Sequence, residues 1–316
     1  MIRIVLFGAL LSLGCAGFAH ATGYEDFNSG IGDQGNGQDD AAIADFTKAL
    51  AEPDLPQHLK HVAYIDRGIS YVRKKSDGAA IADFSAAITL MPANVAGYFY
   101  RASAYDDEKQ YDRAIADLTT VLGFAPQFVQ AYSARADEYE AAGRYGEAIA
   151  DDLAFLKLRP DDPSAIFALG FAQWANGDLK SAHENFDKSF KLDSTFAYAA
   201  LWSDIAQSEA GSASPDVDTG DIEFKKWPGQ ALRLFLGRAS PDSIPAAARS
   251  DDADVATAQK CEADFYVAEW QLMKKNAAAA APLFRQVVDS CSSDLLEQRA
   301  ATVEIKHMTP APAAAP

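Results

Sequence analysis

Apolar and polar residues follow one another at helical spacing through residues 62–160, and the pattern repeats every 34 residues. Within each repeat a tyrosine is followed by a small residue four positions later and by an alanine twelve positions after that, and a proline closes the unit. The recurring positions are Tyr64, Gly68, Ala80 and Pro92, then Tyr98, Ala102, Ala114 and Pro126, then Tyr132, Ala136, Ala148 and Pro160. A fixed period of this length predicts an architecture of stacked supersecondary units.

Each repeat is predicted to form a helix, a short turn and a second helix. The clear repeats cover residues 61–94, 95–128 and 129–162, and a weaker one covers residues 163–196. Residues 24–57 form a degenerate first repeat, because residues 42–46 copy the pattern of residues 80–84. A further first helix at residues 196–210 extends the predicted array over residues 24–210.

The period breaks after the array, and residues 211–255 are predicted to be an irregular helical linker. Within it we expect one short helix at Gly229–Leu236 and another from Pro241 onward. We also expect a hinge at Asp251–Asp252. Residues 256–308 return to a helical hairpin followed by a capping helix. Residues 309–316 are rich in proline and alanine, which predicts a disordered tail.

The first residues, 1–21, have the composition of an export signal. Arg3 precedes a short apolar stretch, and Ala19-His20-Ala21 fits a cleavage site. We therefore expect an exported periplasmic chain that begins near Thr22. The alternative is a membrane-anchored lipoprotein acylated at Cys15, although the residues before Cys15 depart from the usual lipoprotein pattern.

Cleavage of the export signal would leave two cysteines, Cys261 and Cys291. An even number of cysteines in an exported chain suggests a disulfide. The two residues lie at the start and just after the end of the predicted C-terminal hairpin, and these ends are neighbours in an antiparallel pair of helices. We predict a bridge between them; the alternative is two buried thiols.

The formal net charge of −17 argues against nucleic acid and anionic lipid as partners. We find no nucleophile elbow, phosphate-binding loop or zinc-protease motif, so we expect no enzyme activity, no cofactor and no metal site. Residues Gly30–Gly35 match a dinucleotide-binding spacing, but no strand pattern precedes them. We interpret that stretch as a loop.

Charged residues recur in phase with the repeats. Arginines occupy one position of the first helices, at Arg67, Arg101 and Arg135, and aspartates one position of the second helices, at Asp45, Asp83, Asp117 and Asp151. We interpret them as ion pairs that link the two helices of a repeat; the alternative is a row of arginines that binds anions. Asp152 lies where an apolar residue is expected, so it is either poorly buried or paired, with Arg135 as the candidate partner.

The recurring tyrosines, small residues, alanines and prolines resemble those of tetratricopeptide (TPR) repeats. Residues 163–196 follow the same pattern but depart from it at Gln173 and Ser194. The resemblance implies an all-α fold, a TPR solenoid of stacked helical hairpins, here with a C-terminal helical extension. It also implies a concave groove lined by the first helices, where TPR proteins bind their partners.

The groove positions of the TPR pattern predict a partner-binding set. The set is Ile65, Ile69, Phe99, Asp106, Asp137, Glu140, Phe167, Phe171, Trp174 and Leu201. Such a groove is acidic in the middle and aromatic towards its C-terminal end, so it would favour an apolar or basic segment. The alternative for the aromatic residues is that they pack on the next repeat or under the C-terminal helices.

The C-terminal half resembles the NlpI family of periplasmic TPR lipoproteins. The resemblance rests on four segments, Ala200–Trp202, Trp227–Ser240, Ala263–Glu269 and Ala281–Phe284, followed by Glu297. It implies a scaffold or adaptor, usually a homodimer, that docks a periplasmic protease and peptidoglycan hydrolases. The weak lipidation signal and the cysteine pair depart from that family. The alternative functions are a component of a secretion, pilus or polysaccharide-export complex and an enzyme with an unrecognised site.

Overall fold

The computed structural model describes residues 22–211 and 219–308. The predicted export signal, Cys15 and the predicted disordered tail lie outside the described residues. The chain divides into two compact units, residues 1–124 and residues 125–316. All regular secondary structure in the described ranges is helical, and none of their helices is long and apolar enough to cross a membrane.

The first unit consists of three helical hairpins. Its helices are α1 (Thr22–Gly35), α2 (Asp39–Ala51), α3 (Gln57–Arg73), α4 (Asp77–Leu90), α5 (Val95–Asp107) and α6 (Tyr111–Phe124). They pair as α1 with α2, α3 with α4 and α5 with α6, and each hairpin packs on the next one. The apolar stripes read from the sequence form its interior, where Phe46 and Phe84 are fully buried.

The second unit continues with hairpins and ends in a helical extension. Its helices are α7 (Val129–Ala141), α8 (Tyr145–Leu158), α9 (Pro163–Ala175), α10 (Leu179–Leu192), α11 (Ala197–Glu209), α12 (Gly229–Phe235), α13 (Ile244–Ala247), α14 (Ala253–Met273), α15 (Ala277–Ser290) and α16 (Leu296–Met308). The predicted fold class, an all-α stack of helical hairpins with a C-terminal extension, is confirmed.

The small residue of each repeat lets the two helices of a hairpin approach closely. A Cβ atom added to Gly68 would lie 2.5 Å from Cε1 of Phe84, and one added to Gly170 would lie 2.9 Å from the ring of Phe186. Both phenylalanines are fully buried. The small side chain is therefore required by the packing of an aromatic ring from the second helix.

Left-handed backbone conformations recur just after the first helices of the repeats. The residues are Lys75 (φ 55°), Lys109 (φ 57°), Gly143 (φ 71°), Gly177 (φ 86°) and Gly211 (φ 76°), at intervals of 34 positions. A left-handed residue just after a helix allows the chain to reverse and satisfies the last carbonyl groups of the helix. The repeat period is therefore present in the backbone as well as in the side chains.

Three local expectations need correction. Residues Gly30–Gly35 are not a loop but the last turns of α1, because Gly30 allows that helix to pack on the ring of Phe46, 2.8 Å from where a Cβ would lie. The helix expected from Pro241 is a 3-10 turn at Pro241–Ser243 followed by the single turn of α13. The expected hinge at Asp251–Asp252 is a helix cap, because the Asp252 carboxylate accepts hydrogen bonds from the Asp254 and Val255 amides.

The predicted disulfide is present between Cys261 on α14 and Cys291 directly after α15, with 6.0 Å between their Cα atoms. It joins the interior of α14, eight residues after that helix begins at Ala253, to the end of α15. The alternative of two buried thiols is therefore not what the structure shows.

Candidate functional site

The repeated arginines of the first unit hold the helices of each hairpin together. Nε and Nη2 of Arg67 donate to the two carboxylate oxygens of Asp83 at 2.8 and 2.7 Å. Arg101 contacts Asp117 in the same way at 2.7 and 2.8 Å. Both aspartates are buried, so the pairs are two-point contacts shielded from water. The degenerate first repeat has no such arginine, and its Asp45 pairs with Lys48.

The second unit contains the third pair of this kind. Arg135 donates to both carboxylate oxygens of Asp151 at 2.7 Å. The interpretation of the arginines as links between helices is confirmed. A row of anion-binding arginines is not supported, because each guanidinium already holds a carboxylate.

Asp152 is buried beside this pair, with 3% of its surface exposed. The predicted partner Arg135 is held by Asp151, and Oδ2 of Asp152 accepts no hydrogen bond from any described residue. Burial, together with the negative charges of Asp137 and Asp151, raises the pKa of Asp152 to about 8. The side chain therefore carries a proton over much of the neutral range.

In the first unit, part of the predicted partner-binding set is accessible. Asp106 at the end of α5 is exposed, and Ile69 on α3 and Phe99 on α5 are half-buried. Ile65 is only 7% exposed and packs with Phe84 in the core, so it belongs to the interior of the hairpin. Helices α3 and α5 pack against each other, which brings these groove positions to one face. We call Ile69, Phe99 and Asp106 the α3–α5 face.

In the second unit, most of the predicted set is in the core. Phe171, Trp174 and Leu201 are 0% exposed, and only Asp137 and Phe167 remain partly or fully accessible. The buried side chains join one large cluster with Phe265 of α14 and Val303 of α16, among others. Packing under the C-terminal helices, the alternative considered for the aromatic residues, is what the structure shows.

Helix α16 also contacts a residue of α7. Arg299 of α16 lies 3.5 Å from Oε2 of Glu140, whose side chain is almost completely buried. Burial raises the pKa of Glu140 well above its usual range, although the positive charge of Arg299 opposes the shift. Glu140, predicted to contact a partner, therefore contacts this chain's own last helix.

A group of acidic residues that sequence reasoning missed lies in the same unit. Carboxylate oxygens of Glu209, Glu269 and Glu304 all lie within 4.8 Å of one another. The three residues come from α11, α14 and α16, and their distance along the chain hides the grouping from any motif search. We call them the carboxylate triad.

The surroundings of the carboxylate triad raise the pKa of all three groups. Burial, followed by the negative charge of Glu304, raises the pKa of Glu209 to about 8, although a hydrogen bond from Trp174 opposes the shift. Burial raises the pKa of Glu304 to about 7. Burial and the charges of the other two members raise the pKa of Glu269 well above its usual range.

Two other buried glutamates of this unit show how the fold normally satisfies such groups. Glu262 accepts hydrogen bonds from the Tyr198 hydroxyl at 2.7 Å and from Nε1 of Trp227 at 2.6 Å. Glu297 accepts one from the Tyr266 hydroxyl at 2.9 Å. These bonds connect α11, α14, α16 and the segment before α12, so they serve the packing of the extension.

Comparison with known proteins identifies the repeat. A family model described as tetratricopeptide repeat matches residues 96–128. A solved tetratricopeptide repeat protein from Parabacteroides merdae ATCC 43184 aligns with 90% of this chain and 99% of its own, with a TM-score of 0.61 and 14% identity. Residues 96–128 therefore form a TPR repeat, and the chain shares the fold of a solved TPR protein over most of its length.

Other solved TPR-like structures align with part of the chain. The crystal structure of MamA protein covers 56% of this chain and 94% of its own, with a TM-score of 0.51 and 20% identity. A MamA structure from Desulfovibrio magneticus RS-1 covers 54% and 95%, with a TM-score of 0.50 and 19% identity. These identities are low, so the likenesses show the fold alone. No curated protein sequence matches the chain.

Proposed function

We propose that this protein is a non-enzymatic, exported scaffold that binds other proteins of the cell envelope. The observation that carries the proposal is the α3–α5 face, where groove positions of two adjacent first helices remain accessible. Stacked helix pairs present such faces as extended binding surfaces. The sequence pattern of residues 1–21 and the disulfide support export, because disulfides persist in oxidising compartments.

The composition of the α3–α5 face suggests the chemistry of the partner. Ile69 and Phe99 offer partly exposed apolar surface, and Asp106 adds a negative charge at its edge. An extended segment with apolar side chains and a lysine or arginine complements both properties. The net charge of −17 further favours a basic partner, since it steers cationic segments towards the protein.

The Arg–Asp pairs hold the helices that form the α3–α5 face in place before a partner binds. Arg67 and Arg101 lie on the same helices as the face, α3 and α5, and each is held by an aspartate of the second helix. A surface that is rigid before binding loses less conformational entropy when the partner arrives. The buried charges thus contribute to recognition without contacting the partner.

The specific role that we propose is that of an adaptor for a periplasmic protease or for peptidoglycan hydrolases. The support is the resemblance of the C-terminal segments to the NlpI family, and the same resemblance leads us to propose a homodimer. Light scattering of the purified protein measures the oligomeric state directly. Amino-terminal sequencing of the exported chain distinguishes cleavage near Thr22 from acylation at Cys15.

Crosslinking in the native cell followed by mass spectrometry tests the binding function. We expect the tagged wild-type chain to recover envelope proteases or hydrolases, and the variant Phe99→Asp to lose them. The matched control is Glu184→Gln, which changes an exposed pair on α10 in the other unit. Recovery of no envelope protein, or equal recovery by Phe99→Asp, would overturn the proposal. Recovery of a secretion, pilus or polysaccharide-export machine would replace the adaptor role by that alternative.

A further inference from the structure

The carboxylate triad joins three helices that are far apart in the sequence. Glu209 ends α11, Glu269 lies on α14 and Glu304 lies on α16, and their oxygens converge within 4.8 Å. Glu269 is 1% exposed and Glu304 is 4% exposed, while Glu209 is the member nearest to solvent. Two members of the group are therefore buried, and the third borders solvent.

Two oxygens of the triad have no hydrogen-bond partner among the described residues. They are Oε1 of Glu269 and Oε1 of Glu304, both buried. Buried polar atoms almost always have a partner, because a buried donor or acceptor that lacks one destabilises the fold. Glu262 and Glu297 in the same unit follow that rule. The unpartnered oxygens belong to carboxylates that lie within 4.8 Å of each other, which indicates that a further group belongs among them.

The charges around the triad do not neutralise it. Nε1 of Trp174 donates to both oxygens of Glu209 at 3.0 Å, but the indole is uncharged. The single basic group recorded within ion-pairing distance in the described part of the chain is His307, 3.7 Å from Glu304, and its side chain is 54% exposed. Three carboxylates at this spacing repel one another unless protons or a cation lie among them.

The donor set favours one class of cation. Calcium takes carboxylate oxygens at about 2.3–2.6 Å in a flexible geometry. Magnesium holds its ligands at about 2.0–2.1 Å, usually keeps several waters and is bound through only one or two carboxylates. Three carboxylates with oxygens within 4.8 Å of one another, two of them on buried residues, suit the larger ion better. We propose that Glu209, Glu269 and Glu304 bind a calcium-sized divalent cation, with water completing the coordination on the Glu209 side.

Such an ion would link the last TPR helix to the C-terminal extension. Helices α11, α14 and α16 would each supply one ligand, so binding would stabilise the packing of α16 in the second unit. Because a ligand that binds only the folded state shifts the unfolding equilibrium, calcium should raise the melting temperature of the protein. The site is independent of the α3–α5 face and of the proposed adaptor role.

Calcium titration of the purified full chain, stripped of metal by chelation, tests the site. Calorimetry should show saturable binding of a single Ca²⁺ per chain, with Mg²⁺ binding more weakly. Terbium provides a second readout, because Trp174 is close enough to sensitise its luminescence, and Ca²⁺ should displace it. In Glu269→Gln, which keeps the shape of the side chain, we expect at least ~10-fold weaker Ca²⁺ binding.

The control variants distinguish a specific Ca²⁺ site from nonspecific attraction of cations to an acidic protein. Glu297→Gln changes a buried carboxylate on the same helix as Glu304 and should bind Ca²⁺ like the wild type. If Glu269→Gln does not fold, Glu209→Gln tests the most accessible ligand, and it should lose affinity to the same degree. Absence of saturable binding to the wild type, or unchanged binding in a folded triad variant, overturns the proposal.

Discussion

Replacing Gly68 by alanine measures how closely the helices of a repeat must approach. The new Cβ would lie 2.5 Å from Cε1 of Phe84, and it would meet two more atoms of that ring at 2.9 Å. Phe84 is fully buried and stacks on Tyr100, with 5.8 Å between the ring centroids, so it has little room to move. Overpacking of this kind costs about 1–3 kcal/mol.

The same substitution also has a favourable effect, which a matched variant removes from the comparison. Alanine is better than glycine in a helix interior by about 1 kcal/mol. Gly32 lies in α1 of the same unit, and a Cβ added there would meet no atom within 4 Å. We expect Gly32→Ala to stabilise the first unit and Gly68→Ala to be less stable than Gly32→Ala by about 1–3 kcal/mol, because only the steric cost differs.

Urea unfolding followed by far-ultraviolet circular dichroism measures both variants, and amide hydrogen exchange in α3 and α4 locates the effect. Hydrogen exchange is needed because the hairpins of a repeat array can unfold locally rather than all at once. If Gly68→Ala stabilises the protein as much as Gly32→Ala, then the close approach does not constrain the repeat. The double variant Gly68→Ala/Phe84→Leu should recover part of the loss, since leucine frees space beside the new methyl group.

Three further predictions concern buried charge and the disulfide. Asp117→Asn weakens a shielded ion pair and should destabilise the first unit by about 3 kcal/mol in urea unfolding, whereas Asp40→Asn in an exposed pair should change stability by less than about 1 kcal/mol. Cys261→Ser opens a loop with a separation of 30 residues and should cost about 3–4 kcal/mol; reductant should have the same effect on the wild type and none on the variant. The folded-state pKa of Asp152 is raised from 3.8 to about 8, so keeping this residue buried costs stability increasingly as the pH rises between those values. Asp152→Asn should therefore match the wild type near the lower value and exceed it most above the upper one, as measured by thermal melts across pH; a constant difference would contradict the assigned cause.

The helical hairpins could be predicted because their determinants are close together in the sequence. The spacing of Gly68, Ala80 and Pro92 recurs in the following repeats, and helix packing within a hairpin depends on residues only a few turns apart. The pairing of Cys261 with Cys291 followed from the same local logic, since the two ends of one hairpin are neighbours.

The packing of the C-terminal helices over the groove positions of the second unit could not be predicted in this way. The pattern places Trp174 and Leu201 at groove positions, and nothing within their own repeats shows that α14 and α16 pack there. That packing depends on contacts between residues more than sixty positions apart, for example the contact of Trp202 with Phe265. Repeat position alone therefore predicts where a side chain lies on its hairpin but not whether it meets solvent.

The carboxylate triad was missed for a related reason. Glu209, Glu269 and Glu304 stand 60 and 35 positions apart, so no local motif unites them. Only the folded chain brings them together. Gly30 shows the converse, because its local sequence suggested a loop while the structure places it in α1, packed closely against the ring of Phe46.

The left-handed turn residues mark the repeat period even where the side-chain pattern no longer shows it. Gly211 follows α11 with φ 76°, 34 positions after Gly177, so α11 is the first helix of a sixth hairpin and keeps the repeat period. Yet the next described helix starts only at Gly229, and α14 packs on α11 instead. For an engineer who wishes to lengthen the array, whole 34-residue cassettes should be spliced in ahead of α11, because from Gly211 onward the chain no longer offers a compatible junction.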